Sequence, residues 1–149
     1  MIKLTDGYFD SLQLNDGHLF TVFSDACQRS ENGSVTAAPR SEADPKSLGC
    51  EAQIRLGQFK RITRARGRDY LVVDEARGVV VSRVFLDHEG VLTEYKLTDG
   101  TTMNAGHVAP QTWYVLEMFK IANGRLVRIA AFLEGAPYNM PSAWRPGRP

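Results

Sequence analysis

The second half of the chain is a series of short apolar runs separated by turn residues, and this pattern restricts the fold more than any other feature. The runs are rich in β-branched and aromatic residues, which favour strands. The segments between them carry Gly, Asp and Asn and show no helical period. Strands that follow one another through such turns pair antiparallel. The sequence therefore predicts a strongly bent antiparallel sheet built from residues 70–73, 79–86, 91–97, 112–121 and 126–133.

The first half of the chain is predicted to be mainly helical. Leu4, Tyr8 and Leu12 are about one helical turn apart, which indicates an amphipathic helix. The remaining predicted elements are a helix at 18–23, a strand at 26–32, a loop at 34–46 and a helix at 45–59. Helices followed by consecutive strands indicate an α+β fold with the helices on one face of the sheet. We expect one domain at 1–136 and a tail at 137–149 that caps either the cavity or an interface.

The last predicted hairpin allows its strand register to be counted. Asn123-Gly124 is the preferred type I′ turn, and counting outward from it pairs Met118 with Ile129. One face then carries Tyr114, Leu116, Met118, Ile129, Ala131 and Leu133, and the other carries Trp113, Val115, Glu117, Phe119, Ile121 and Arg128. Both faces are apolar, so both need a cover. We therefore expect the helices on one side, and a homo-oligomer, either a dimer or a trimer.

Charge and composition argue against several classes of protein. The formal net charge is +1, whereas nucleic-acid binders usually carry a marked basic excess. The basic residues of segment 60–68 fit a solvated edge strand or loop better than a phosphate-binding surface. No run reaches the roughly 18 apolar residues of a membrane span, and no signal peptide is recognisable. We expect a cytoplasmic protein that binds neither nucleic acid nor membrane.

Cysteine and histidine usage predicts no metal site. Cys27 and Cys50 are too few for a four-ligand zinc site, and His18, His88 and His107 are far apart in the sequence. Two buried thiols are expected in a reducing compartment, with a disulfide as the alternative. No phosphate-binding or dinucleotide-binding loop is present, and we expect no cofactor.

Several segments resemble a known superfamily. The runs YFDSL at 8–12, NDG at 15–17 and FSDAC at 23–27 resemble the opening of the steroid-isomerase and SnoaL-like branches of the NTF2-like superfamily. The runs LDHEG at 86–90 and EMFKI at 117–121, among others, are similar to a little-characterised NTF2-like group. The resemblance implies a cone of helices and a bent sheet around an apolar cavity. It does not fix the reaction, since one fold hosts isomerases, dehydratases, lyases, epoxide hydrolases and binding modules.

The resemblance implies catalytic roles for two residues. Glu31 matches the position of the general-base carboxylate of steroid isomerases, and Tyr8 matches the tyrosine that donates to the developing oxyanion. The second oxyanion donor of those enzymes, a protonated carboxylic acid, falls near Leu116, so the donor pair is incomplete. Arg29 shares a strand face with Glu31 and either binds a substrate oxygen or forms a purely structural ion pair with that glutamate.

Other residues have weaker claims to the site. His88 ends a strand and is a candidate for returning a proton, although turn histidines are usually exposed. Glu117 is expected to form a buried interface ion pair with Arg128, with a catalytic role as the alternative. The candidates for substrate contact, for which plain core packing is the alternative, are Tyr114, Leu116, Met118, Ile129, Leu133 and Phe59.

Two hypotheses of function follow. The first is a cofactor-independent lyase or isomerase acting on an apolar aromatic or polycyclic small molecule by isomerisation, dehydration or carbon–carbon cleavage. Deformylation of lignin-derived diaryl compounds is one such cleavage that the resemblance suggests. The second is a non-catalytic NTF2-like module for small-molecule binding or assembly. A deep pocket faced by Tyr8 and Glu31 favours the first hypothesis, and a cavity filled by its own side chains favours the second.

Overall fold

A computed structural model describes residues 1–106 and 109–143 of the chain. The fold of these residues is α+β, as predicted: two helices pack with a long, curved sheet that is antiparallel at all but one of its strand pairs. The elements in chain order are α1 (Ile2–Leu14), β1 (Phe23–Glu31), β2 (Ser34–Ala37), α2 (Cys50–Arg55), β3 (Arg64–Asp74), β4 (Val79–His88), β5 (Glu94–Lys96), β6 (Thr102–Asn104), β7 (Gln111–Ala122) and β8 (Arg125–Pro137).

The large sheet has the strand order β2-β1-β8-β7-β4-β3, and β5 and β6 form a separate pair. β1 lies parallel to β8, and the other neighbours are antiparallel. α1 lies across the concave face, where Tyr8 and Phe9 pack edge-to-face on Phe119. Edge-to-face packing is a favoured arrangement of aromatic rings. Helix and sheet together enclose the core on the concave side of the sheet.

The elements differ from their prediction in four places, three of them in the N-terminal half. Segment 18–23 is not a helix, because its amides are bound by side chains: His18 N–H donates to Asp16 Oδ1 and Phe20 N–H donates to Ser11 Oγ. The predicted loop 34–46 begins with strand β2, which pairs with β1. α2 covers only Cys50–Arg55 of the predicted helix 45–59, and β6 was not predicted. Glycines close to both ends of α2 reduce helix propensity there.

The predicted hairpin turn is confirmed, but the register beyond it is wrong by one residue. Asn123 and Gly124 both have positive φ, as a type I′ turn requires. A β-bulge then leaves Val127 without an opposite residue. Ile129 therefore pairs with Phe119, and not with Met118 as predicted. A one-residue slip moves every later side chain to the other face. Ile129, Ala131 and Leu133 therefore share a face with Val115, Glu117 and Phe119.

The first residues of the predicted tail are held against the end of the sheet. Arg66 donates to the carbonyl of Met140 at 2.8 Å, and the Asn139 amide donates to Thr112 Oγ1 at 2.9 Å. Both contacts adjoin the buried carboxylate of Asp87. Trp144 and the residues after it, like His107, lie outside the described residues. Within the described part of the chain, no helix is long and apolar enough to cross a membrane.

Candidate functional site

Four polar side chains meet in the interior of the cone, and we call them the polar cluster: Tyr8, Arg29, Glu31 and Glu117. Tyr8 comes from α1. Arg29 and Glu31 are two residues apart on β1, so both point inward. Glu117 comes from β7 and is only 2% exposed. In the sheet, Ala131 pairs with both Glu31 and Glu117, so the two glutamates are two strands apart, about 10 Å between backbones. The small side chain of Ala131 leaves space between them.

Arg29 is the centre of the hydrogen bonds in the polar cluster. Its guanidinium contacts Glu31 Oε1 at 2.9 Å and donates to Gln53 Oε1 at 2.5 Å. Its face lies 4.7 Å from the centroid of the Phe59 ring, in cation–π geometry. Gln53 belongs to α2 and in turn donates to the Thr36 carbonyl at 2.6 Å. The ion pair expected between Arg29 and Glu31 is therefore formed, and α2 helps to orient it.

Burial changes the protonation of the polar cluster. Desolvation raises the pKa of Glu117 to about 8, against the opposing effects of the Arg29 charge and a hydrogen bond with Tyr8. Desolvation also raises the pKa of Tyr8 well above its ordinary value, and the nearby Glu117 adds to this shift. At neutral pH, Glu117 is thus mainly a neutral acid that can donate a hydrogen bond. Two neutral O–H groups, those of Tyr8 and Glu117, lie side by side in a buried site.

The polar cluster borders a small cavity of about 30 Å³. This volume suits one or two water molecules rather than an aromatic compound. Three of the polar cluster residues line it together with nine other side chains: Tyr8, Glu31, Glu117, Leu12, Phe59, Arg61, Ile62, Leu86, Trp113, Val115, Ala131 and Leu133. Among these residues Glu31, Phe59, Arg61, Trp113 and Leu133 are partly exposed, and they form the mouth. A larger molecule enters only if mouth side chains move.

The bulge separates the predicted contact residues into two groups. Phe59 and Leu133 line the cavity, and Ile129 is fully buried on the same face of the sheet. Tyr114, Leu116 and Met118 lie on the convex face, where Leu116 is 40% and Met118 43% exposed. The prediction that these three line the cavity is wrong, because the bulge at Val127 shifts the register on which it was based.

His88 is brought near the mouth but not into the polar cluster. It is buried at the end of β4, with its ring centroid 4.2 Å from that of Trp113. It lines a second, very small pocket of about 10 Å³ together with Arg61 and Glu89. The structure therefore separates His88 from the cavity that Tyr8 and Glu31 share, and its acid–base role remains a prediction.

Glu117 is the site residue that the sequence placed wrongly. It was expected at a subunit interface beside Arg128, but it faces the interior, and Arg128 is exposed on the convex face. The sequence did carry a signal for this position. The resemblance puts a protonated carboxylic acid near Leu116, one residue away, and only the correct register shows that residue 117 faces inward.

The cysteines also differ from expectation. Cys27 and Cys50 form a disulfide with a Cα–Cα distance of 5.7 Å, where two thiols were expected. The bond joins β1, which carries Arg29, to α2, which carries Gln53. Among the described residues, no group of three His, Cys, Asp or Glu side chains is placed to hold a metal ion.

Comparison with known sequences places the chain in a family. The profile of the family described as Domain of unknown function (DUF8021) matches residues 1–133. The chain belongs to the DUF8021 family. Its description assigns no activity, and no characterised protein sequence matches the chain.

Comparison with solved structures confirms that this DUF8021 domain has the NTF2-like fold. An NTF2-like protein of unknown function from Cytophaga hutchinsonii aligns with a TM-score of 0.51 at 10% identity, covering 89% of this chain and 95% of that one. A Bacillus subtilis protein described as a "Putative Isomerase" aligns with a TM-score of 0.56 at 11% identity, covering 89% and 85%. An LEH-like epoxide hydrolase from M. tuberculosis aligns with a TM-score of 0.50 at 12% identity, covering 89% and 81%.

Proposed function

We propose that this DUF8021 domain is a cofactor-independent lyase or isomerase that moves a proton on an apolar aromatic or polycyclic small molecule. The observation that carries the proposal is the pairing of two neutral O–H donors, Tyr8 and Glu117, with a carboxylate, Glu31, around one apolar cavity. Glu117 supplies the second donor that was missing from the sequence resemblance. The fold is shared with proteins described as a "Putative Isomerase" and an LEH-like epoxide hydrolase, which fits small-molecule chemistry.

The proposed chemistry begins at Glu31. Its carboxylate takes a proton from a carbon next to a carbonyl group, the C–H electron pair forms a C=C bond, and the carbonyl oxygen takes the negative charge. Tyr8 and the protonated Glu117 donate hydrogen bonds to that oxygen and so stabilise the charge. Return of the proton to another carbon completes an isomerisation. If Glu31 instead takes the hydroxyl proton of a hydroxymethyl group, the O–H electron pair forms the C=O bond of formaldehyde and the C–C bond breaks. Formaldehyde leaves, and the carbanion that keeps the C–C electron pair takes up the proton from Glu31.

Glu31→Gln is expected to reduce turnover by about 100-fold or more, the usual contribution of a general base. The measurement is proton–deuterium exchange of aryl ketones in D₂O by NMR, together with formaldehyde release from lignin-derived diaryl compounds. Glu94→Gln, which changes an exposed glutamate of β5, serves as the matched control and should keep full activity. Near-normal turnover by Glu31→Gln would exclude the assigned role.

The second candidate function is a non-catalytic binding or assembly module. Two observations favour it: the cavity has a volume of only about 30 Å³, and Glu31 is bonded to Arg29. The exchange experiment separates the two candidates, because a binding module gives the same slow exchange with the wild-type protein and with Glu31→Gln.

We also propose that a second copy of the chain covers the convex face. Leu116, Met118 and Phe132 form an exposed apolar patch there, and Phe132 is 60% exposed. Lys120 and Arg128 lie at one end of this patch, and Glu134 lies at the other end. A two-fold axis would set the basic end of one copy against the acidic end of the other, which gives a self-complementary contact.

Phe132→Glu is expected to convert a dimer into a monomer, because it buries an unpaired charge in the proposed contact. Sedimentation velocity measures the mass of both proteins. Val35→Glu places the same charge on another exposed apolar position, at the edge strand β2, and should leave the dimer intact. A monomeric wild-type protein would disprove the proposal.

The cytoplasmic location predicted from the sequence is not tested by the structure. One observation argues against it: disulfides are rare in reducing compartments, so the Cys27–Cys50 bond favours an oxidising compartment.

A further inference from the structure

Arg61 lies at the mouth of the cavity, and the proposed chemistry does not use it. It belongs to the turn that follows α2, in which the Ile62 amide donates to the Phe59 carbonyl at 2.8 Å. Asn15 also holds this turn, because its Oδ1 accepts a hydrogen bond from the Phe59 amide at 3.0 Å. These hydrogen bonds hold the backbone on both sides of Arg61. The position from which its side chain reaches the cavity is therefore fixed. It lines the cavity with Tyr8, Glu31 and Glu117.

Arg61 differs from the three buried arginines of the described residues in having no carboxylate partner. Arg29 pairs with Glu31 at 2.9 Å, Arg66 with Asp87 at 2.7 Å and Arg83 with Asp69 at 2.5 Å. No described carboxylate lies within ion-pair distance of Arg61, and its buried Nε has no hydrogen-bond partner. A buried N–H group without a hydrogen-bond partner is costly, because the lost hydration is not replaced.

The contact that Arg61 does make leaves its donors available. The guanidinium carbon lies 5.3 Å from the Trp113 ring centroid, over the ring. Stacking of this kind uses the flat face of the guanidinium, while the N–H donors point outward in its plane. Those in-plane donors match the two oxygens of a carboxylate. A phosphate dianion fits less well, because the mouth offers one cation and Arg29 is already paired with Glu31.

We infer that Arg61 binds a carboxylate of the ligand, so that the cavity selects apolar or aromatic acids over their neutral analogues. As a statement about the substrate of the proposed reaction, this inference rests on the proposed function. As a statement about binding, it depends on the position of Arg61 alone. The apolar part of such an acid would contact the mouth residues Phe59, Trp113 and Leu133.

The test compares matched acid and amide probes. The pairs are benzoate with benzamide, phenylacetate with phenylacetamide, and 2-naphthoate with 2-naphthamide, and binding is measured by saturation-transfer NMR titration. Each amide has nearly the shape of its acid but no charge. At least one acid is expected to bind the wild-type protein about tenfold or more tightly than its amide, as a charge-assisted hydrogen bond implies. Arg61→Met should abolish this preference, and Arg61→Lys should restore part of it.

Three control measurements distinguish anion binding by Arg61 from a structural role and from a general effect of charge. Lys60→Met removes the same charge from an exposed neighbouring residue and should keep the preference for the acid. Glu31→Gln should keep it as well, so loss of turnover in that variant tests the proposed base and not the anion site. Arg61→Met should melt close to the wild-type temperature, because no ion pair is lost and only the cation–π contact with Trp113 is removed, whereas loss of an arginine that holds the fold together would lower the melting temperature clearly.

Equal binding of acids and amides by the wild-type protein would overturn the inference. So would persistence of the preference for the acid in Arg61→Met, or failure of all three acids to bind at millimolar concentration. If the preference for the acid is found but Glu31→Gln exchanges protons normally, the anion site stands and the proposed function falls.

Discussion

Asp87→Asn is expected to lower the free energy of unfolding by about 3–5 kcal/mol, the usual cost of removing one partner of a buried ion pair. Asp87 is fully buried at the end of β4 and accepts hydrogen bonds from Arg64, Arg66 and Thr112. Arg66 is itself almost entirely buried. The amide keeps the shape of the side chain but leaves the Arg66 cation without a counter-charge.

The pKa of Asp87 adds a dependence on pH. Burial alone raises the pKa of its carboxyl, but the hydrogen bonds from Arg66, Thr112 and Arg64 outweigh burial and hold the pKa below its ordinary value of 3.8. A lowered native pKa gives stability that is present above the unfolded pKa and lost as the pH falls through the native one. The difference in unfolding free energy between wild type and Asp87→Asn should therefore be largest at neutral pH and shrink below about pH 4.

Urea unfolding at several pH values measures this difference. Asp74→Asn is the matched control, since Asp74 forms an ion pair with the exposed Arg77 and such surface pairs contribute little to stability. Limited proteolysis supplies a second measurement. Because Arg66 and Thr112 also hold Asn139 and Met140, the segment 138–143 should be cut faster in Asp87→Asn. Wild-type stability of the variant at pH 7 would refute this account of the cluster.

Glu117→Gln is expected to stabilise the protein at neutral and alkaline pH, by about 3 kcal/mol at pH 7 if each pKa unit contributes 1.4 kcal/mol. Glu117 has a pKa of about 8 in the folded protein, against 4.5 for the ordinary side chain. Between these values the native state holds a proton that the unfolded state releases, so stability of the wild type falls as the pH rises from 4.5 to 8. Glutamine carries no such proton, and its amide can still donate a hydrogen bond.

The difference in unfolding free energy between Glu117→Gln and wild type should be near zero at pH 4.5 and grow up to about pH 8. Urea unfolding across this range measures it, and ¹³C NMR of the Glu117 carboxyl gives the pKa directly. Glu75→Gln, at an exposed turn, should show no such trend. A difference that stays constant between pH 5 and pH 8 would show that Glu117 ionises normally, and the second neutral donor of the proposed mechanism would be lost.

The parts of the fold that could be predicted are those fixed by local rules. The spacing of Leu4, Tyr8 and Leu12 predicted α1, and Asn123-Gly124 predicted the last turn, because both signals act within a few residues. The resemblance placed Tyr8 and Glu31 together, and both line the cavity. The partners of Arg29 were only partly predictable, since Glu31 is two residues away but Gln53 reaches it from α2.

The chain's own residue pattern determined an α+β fold with a bent sheet that is apolar on both faces, because side-chain period and turn residues are local properties. The tertiary structure decided which side chains face the cavity. One bulge at Val127 exchanged the two faces of β7 relative to β8 and turned Glu117 inward, where loss of hydration changes its protonation. Bulges, disulfide pairing and burial depend on residues far apart in the sequence, and so a residue's chemistry is fixed only when those distant neighbours are in place.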